Sequence, residues 1–264
     1  MDRDEVLAAV AAWIWTPDEA ERVETEEYLL TRNPGWFQHP LTLHWLRPRR
    51  PWREVLEEVL EQATLLGGGT LDWHHRLDAP PEVEQHLRAV LSARLHETLD
   101  VFARSLEAPG DQLSSPAPPE GVELRWVDDV ERLREADAVG AAVFGDDPLP
   151  SETLERHAAV AVRDLRVGRA ARVVAYADGE PVGTSGVTSR GSAAGLWGGS
   201  VVEHARGRGI YRAMLEARLA WAAGHGMRLA LVKGRVETSG PILRRSGFAE
   251  FGQERAWLVA VDGS

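Results

Sequence analysis

The stretch Arg206-Gly207-Arg208-Gly209-Ile210-Tyr211-Arg212-Ala213-Met214-Leu215 constrains this chain more than any other. It follows an apolar run ending at Val201-Val202 and opens a helical pattern that continues through Leu219 and Trp221. Glycines at a strand-to-helix junction let main-chain N–H groups converge without interference from a Cβ. They converge at a helix N-terminus, where unpaired donors and the macrodipole favour phosphate. Arg206 and Arg208 add fork-shaped cationic donors. The segment reads as a pyrophosphate cradle. A dinucleotide fingerprint would need a small residue where Arg212 stands, and a P-loop would need Gly-Lys-Ser/Thr after four spacers; the chain has neither.

Two downstream segments narrow the reading. Leu229-Ala230-Leu231-Val232 has the character of a buried strand, and Ser239 to Phe248 that of a short helix ending in Gly247-Phe248. Gly247 suits the left-handed position after a helix, and Arg244 and Arg245 suit its negative end. The Arg-x-x-Gly-x-x pattern at 206–211, the strand and the Gly-Phe helix, in this order, resemble the GCN5-related N-acetyltransferase superfamily. Its cofactor signature is Gln/Arg-x-x-Gly-x-Gly/Ala, and Tyr211 departs from it at the last position.

The resemblance implies an α/β (α+β) fold whose mixed, mostly antiparallel sheet is flanked by helices. It implies acetyl-CoA as cosubstrate and an amine of a small molecule or protein as acceptor, acetylated by direct attack. It assigns cofactor contacts to Val201 and Val202 on the strand, to Arg206, Gly207, Arg208, Gly209, Ile210 and Tyr211 in the cradle, and to Ser239. The tyrosine that often serves as general acid is absent, because its position holds Leu243. Glu237, Ser239 and Tyr211 are the candidate replacements, with Tyr176, Glu203 and His204 behind them. Four of these have a plainer role open to them: Tyr211 as packing against the cofactor, and Glu203, His204 and Glu237 as solvated polar residues. A non-catalytic CoA-binding sensor or scaffold is the alternative that the missing tyrosine favours.

Composition sets the outer limits. The chain has 264 residues and no cysteine, which removes disulfides, thiolate metal sites and a cysteine nucleophile. Its net charge of −11 argues against a nucleic-acid binder. Residues 201–250 nevertheless hold nine Arg and Lys against four Glu, a basic island around the glycine loop. The N-terminal apolar run from Val6 to Trp15 is too short to span a bilayer and follows an acidic start, so a cytoplasmic protein without membrane partner is expected. His74 and His75 are neighbours on a strand and face opposite ways, and no metal is expected. Most of the ten Trp are expected to anchor cores.

A Pro-, Ser- and Gly-rich stretch divides the chain into an accessory domain at 1–107, a linker at 108–120 and an acetyltransferase-like domain at 121–264. The second part reads β-α-α-β-β-β-α-β-α-β, with Ser151 capping its second helix and Asp178-Gly179 turning a hairpin. In the first part, Thr16-Pro17-Asp18-Glu19 predicts a capped helix through Leu30. Then come a strand at Leu41–Trp45, a helix at Trp52–Leu66, a strand at Thr70–His74 and a helix from Pro81. This order echoes that around the glycine loop, as in a diverged internal repeat; an unrelated α/β or mostly helical domain is the other reading. As a repeat, its loop Arg47-Pro48-Arg49-Arg50-Pro51 has no glycine, and its prolines remove two donors, so no pyrophosphate cradle is expected there.

Overall fold

The computed structural model describes residues 1–107 and 117–263, so most of the expected linker, 108–116, lies outside the described residues. The chain forms two compact units that are not two consecutive pieces of sequence. One comprises Asp2–Val101, Gly234–Pro241 and Glu250–Ser264; the other comprises Phe102–Lys233 and Ile242–Ala249.

The N-terminal unit begins with α1 (Arg3–Ala12), β1 (Glu21–Glu24), β2 (Tyr28–Arg32), β3 (Leu41–Leu46) and α2 (Trp52–Leu65). It continues through β4 (Gly69–His75), α3 (Pro81–Ala89) and the first part of β5 (Arg94–Ser105). The helix expected from Pro17 to Leu30 is instead the β1–β2 hairpin. Tyr28, Leu29, Leu30 and Thr31 are all buried, which a helix presenting one apolar stripe cannot achieve, and they pair with β3. Thr25 Oγ1 accepts the main-chain N–H groups of Glu27 and Tyr28 and so closes the turn. β1, β2 and β3 pair antiparallel, whereas β3 and β4 run parallel through Leu41–Leu43 and Leu71–Trp73. Alternate residues Leu41, Leu43, Leu71 and Trp73 meet Val55 and Val59 of α2 and Val83 and Leu87 of α3 in one core.

The chain's last strand, β11 (Ala249–Val261), lies antiparallel beside β4, with Trp257 opposite Trp73 and both in this core. Thus the final strand of the C-terminal sequence repeat belongs to the N-terminal unit.

The second unit contains β6 (Val122–Trp126), α4 (Val130–Phe144), α5 (Ser151–Arg166), β7 (Ala170–Ala177), β8 (Glu180–Arg190) and β9 (Ala193–Val201). α6 (Ile210–Gly224), β10 (Leu229–Arg235) and α7 (Ser239–Arg245) follow, the last two straddling the unit boundary. β6 to β9 form an antiparallel meander, and β9 and β10 run parallel. The alternation of β7 sorts its two faces. Val173, Ala175 and Ala177 pack with Ile210 and Met214 of α6, while Val174 and Tyr176 pack with Leu133 and Ala136 of α4 and Leu154 of α5. Asp129 caps α4 by accepting Arg132 N–H. Ser151 is the first residue of α5 and makes no cap; Pro150 stands at the cap, where its fixed φ leads into the helix.

The elements β1-β2-β3-α2-β4-α3 and β7-β8-β9-α6-β10-α7 have the same order, with the same single parallel pair flanking the longer helix. The chain is two copies of one plan, and the first copy has a single short helix where the second has α4 and α5.

Candidate cofactor site

The site is built where β9 parts from β10. The parallel pairing covers Ala193–Leu196 and Leu229–Val232, and β9 runs on to Val201 beyond it. Two features turn the strand aside: the β8–β9 register shifts between Thr184 and Gly186, and Gly198 takes φ +61°. Such an irregularity bends a strand and leaves carbonyls without ladder partners.

Arg218 of α6 takes up those carbonyls. It is 1% exposed, and its Nη1 donates to Gly186 O at 3.2 Å and Trp197 O at 3.5 Å, while Nε donates to Met214 O at 3.2 Å. Burial pushes the guanidinium below its ordinary range, and the neighbouring Tyr211 hydroxyl offsets part of that. Arg218 was not among the residues singled out from sequence. A signal for it existed, because Arg218 falls on the buried stripe Met214-Leu215-Leu219-Ala222 of α6.

After Val201, Val202 N–H bonds to Val182 O, Glu203–Ala205 make a 3-10 turn, and Arg206 Nε donates to Val201 O at 3.1 Å. Gly207 and Gly209 then take φ +78° and +79°, the left-handed region in which an L side chain is strained. A Cβ at Gly207 would meet nothing within 4 Å, so the glycine is required there by conformation alone. Gly209 is the N-cap of α6. It provides no side-chain acceptor, and the first turn has no acidic residue. The first N–H groups of a helix have no acceptor within it; here the first turn itself carries no carboxylate, and Arg206, Arg208 and Arg212 beside it are exposed, with Arg208 Nη1 4.0 Å from Asp178 Oδ2. These residues fit a pyrophosphate.

The other singled-out residues fall in different places. Ile210 is buried under the sheet. Tyr211 lies against Gly199, where a Cβ would come within 2.9 Å of its ring. Glu203 and His204 are exposed in the 3-10 turn. Tyr176 hydroxyl donates to Glu135, and burial pushes it up to about 12. Leu243 is fully buried in the core. Glu237 and Ser239 belong to Gly234–Pro241, which is grouped with the N-terminal unit. Among the described residues no group of three His, Cys, Asp or Glu could hold a metal ion, and no helix is long and apolar enough to cross a membrane.

Residues 130–241 match the acetyltransferase (GNAT) family. Among solved structures, the chain is similar to a GCN5-related N-acetyltransferase from Sphaerobacter thermophilus, at 19% identity over 99% of this chain and 86% of that one, with a TM-score of 0.64. One from Kribbella flavida gives 17% identity over 97% and 95%, also at 0.64. A tandem GNAT protein from the clavulanic acid biosynthesis pathway gives 17% over 98% and 88%, again at 0.64. At these identities the likeness is one of fold, and it extends over both copies. No curated protein sequence matches the chain.

Proposed function

We propose that the chain is an N-acetyltransferase that takes an acetyl group from acetyl-CoA and passes it to an amine of a small molecule or protein by direct attack. The observation that carries this reading is the uncapped start of α6, reached through Gly207 and Gly209 at positive φ, directly after a strand that leaves its parallel neighbour. Acetyl-CoA supplies the activated acyl group as a thioester. The protein's part is to hold and orient. The N–H groups opening α6 and the guanidinium groups of Arg206 and Arg208 would receive the pyrophosphate. The main chain at Val201 and Val202 would align the arm that bears the thioester. With no cysteine in the chain, no thiol relay intervenes, and the acceptor attacks directly. Glu237, Ser239 and Tyr211 are the candidates to move the acceptor's proton.

Calorimetric titration of acetyl-CoA into the intact protein and into Gly209→Glu tests the reading. The intact protein is expected to bind and the variant to fail, because a carboxylate at the helix start repels phosphate. Thiol release over a panel of amines then separates an enzyme from a sensor. Binding without turnover on any amine favours the sensor, and no binding by the intact protein sinks both.

A further inference from the structure

The N-terminal unit has a strand-loop-helix junction at the same place in the plan, the loop Arg47–Pro51 between β3 and α2. Its two prolines leave donors behind, and these converge on an acceptor from the chain itself. Main-chain N–H groups of Arg49 and Arg50 donate to Glu27 Oε1 at 2.6 and 2.9 Å, and Arg50 Nε donates to Glu27 Oε2 at 2.8 Å. The Arg50 guanidinium also reaches Glu58 Oε2 at 2.6 Å, and Glu58 Oε1 accepts the Tyr28 hydroxyl at 2.9 Å. The Glu27 side chain is only 12% exposed. Its carboxyl is held below the usual range, first by the main-chain donors at Arg50 and Arg49.

Glu27 comes from the β1–β2 turn. The counterpart in the second copy is the β7–β8 turn, Asp178-Gly179, which also carries a carboxylate. There the outcome is opposite: Asp178 is 83% exposed, with Oδ2 4.0 Å from Arg208 Nη1. The turn geometry accounts for the difference. Asp178 and Gly179 both have positive φ in a two-residue turn, whereas Thr25 Oγ1 ties the N–H groups of Glu27 and Tyr28 in a three-residue turn. Matching hairpins thus present a carboxylate to matching loops, and only the first loop takes it in.

We propose that Glu27 is a built-in anion occupying the N-terminal unit's counterpart of the cofactor cradle, so that this unit takes no phosphate ligand and the chain keeps one open cradle, at α6. The docking of Glu27 stands on the N-terminal geometry alone; the count of one open cradle rests on the reading of residues 206–210 given above.

Two measurements test it. The first is CoA stoichiometry in the intact protein, expected to be one per chain; two per chain would overturn the proposal. No CoA binding at all would sink the acetyl-CoA reading and leave the Glu27 assignment to the second measurement. The second compares melting of the intact protein and Glu27→Gly in inorganic phosphate and in chloride at matched ionic strength. The variant is expected to melt several degrees lower in chloride and to recover part of that loss in phosphate, with no matching phosphate response in the intact protein. A variant that melts like the intact protein, or loses stability with no phosphate response, overturns the assignment. Should Glu27→Gly not fold, Glu27→Ser is read by the same criterion, since it too leaves room for the anion.

Discussion

The indole of Trp197 occupies the space over Gly186: a Cβ at Gly186 would come within 2.2 Å of Cζ2 and 2.3 Å of Cε2. The two residues are register partners across β8 and β9, and Trp197 Nε1 donates to Thr188 Oγ1 at 2.9 Å. Their carbonyls are the pair held by Arg218, so the contact lies at the point where β9 turns away from β10. Gly186→Ala must push the ring off Thr188. It is expected to destabilise the second unit by about 1–3 kcal/mol. Denaturant unfolding should show the loss, and a fluorescence change at Trp197 should accompany it; unchanged stability would mean the ring gives way freely.

Gly207 tests backbone conformation without sterics. At φ +78° with open space around it, Gly207→Ala should cost about 1 kcal/mol of strain. If the loop relaxes by turning its N–H groups, CoA binding should weaken by roughly fivefold, with little change in melting temperature without ligand. An affinity equal to that of the intact protein would show that this N–H is not used.

Histidine burial sets an acid limit on the N-terminal unit. His44 is 7% exposed and accepts or donates at Thr31 Oγ1, 3.0 Å away; burial pushes its pKa from 6.5 down to about 3, with His74, 6.0 Å away ring to ring, adding to the effect. The folded state therefore binds the neutral ring, and the unfolded chain takes up the proton first. The stabilisation is whole above pH 6.5 and drains as pH falls from 6.5 towards 3, at a slope approaching about 1.4 kcal/mol per pH unit. Urea unfolding at a series of pH values should show this, and His44→Gln should flatten it. His39 and His75, also lowered by burial, would leave a residual slope. An unchanged slope in the variant would exclude His44 as a source.

The last strand is expected to matter to the first unit. β11 pairs with β4 from Arg255 to Val261, and Trp257 and Val259 are 4% and 1% exposed in the N-terminal core. Trp257→Ala should destabilise that unit by about 3–5 kcal/mol. Ending the chain at Ala249 should remove hydrogen-exchange protection from Leu71 and Trp73 in β4. Protection that survives the truncation would show that β4 does not need this partner.

Much of this was legible along the chain. The glycine loop, the strands on either side of α6 and the Asp178-Gly179 hairpin follow from patterns within a few residues. Residues 17–30 did not read correctly, because a capping-box sequence outweighed the buried run Tyr28-Leu29-Leu30-Thr31, whose strand character depends on β3 lying alongside. Arg47–Pro51 read as a loop without a cradle for want of glycine. Yet the main-chain donors of Arg49 and Arg50 remained, and their acceptor lies more than twenty residues earlier in the chain.

The sequence by itself determined most local conformations: Gly207 and Gly209 reach positive φ because they carry no Cβ to clash, and outside residues 17–30 apolar spacing selects the succession of strands and helices. Only the tertiary structure decided the partners. That β11 completes the N-terminal sheet, that Glu27 turns into the first loop while Asp178 stays outside the second, and that Arg218 is buried under β9 are outcomes of collective burial and hydrogen-bond satisfaction. Segments far apart in the chain meet in these contacts, and no local pattern encodes which of several compatible surfaces will be covered.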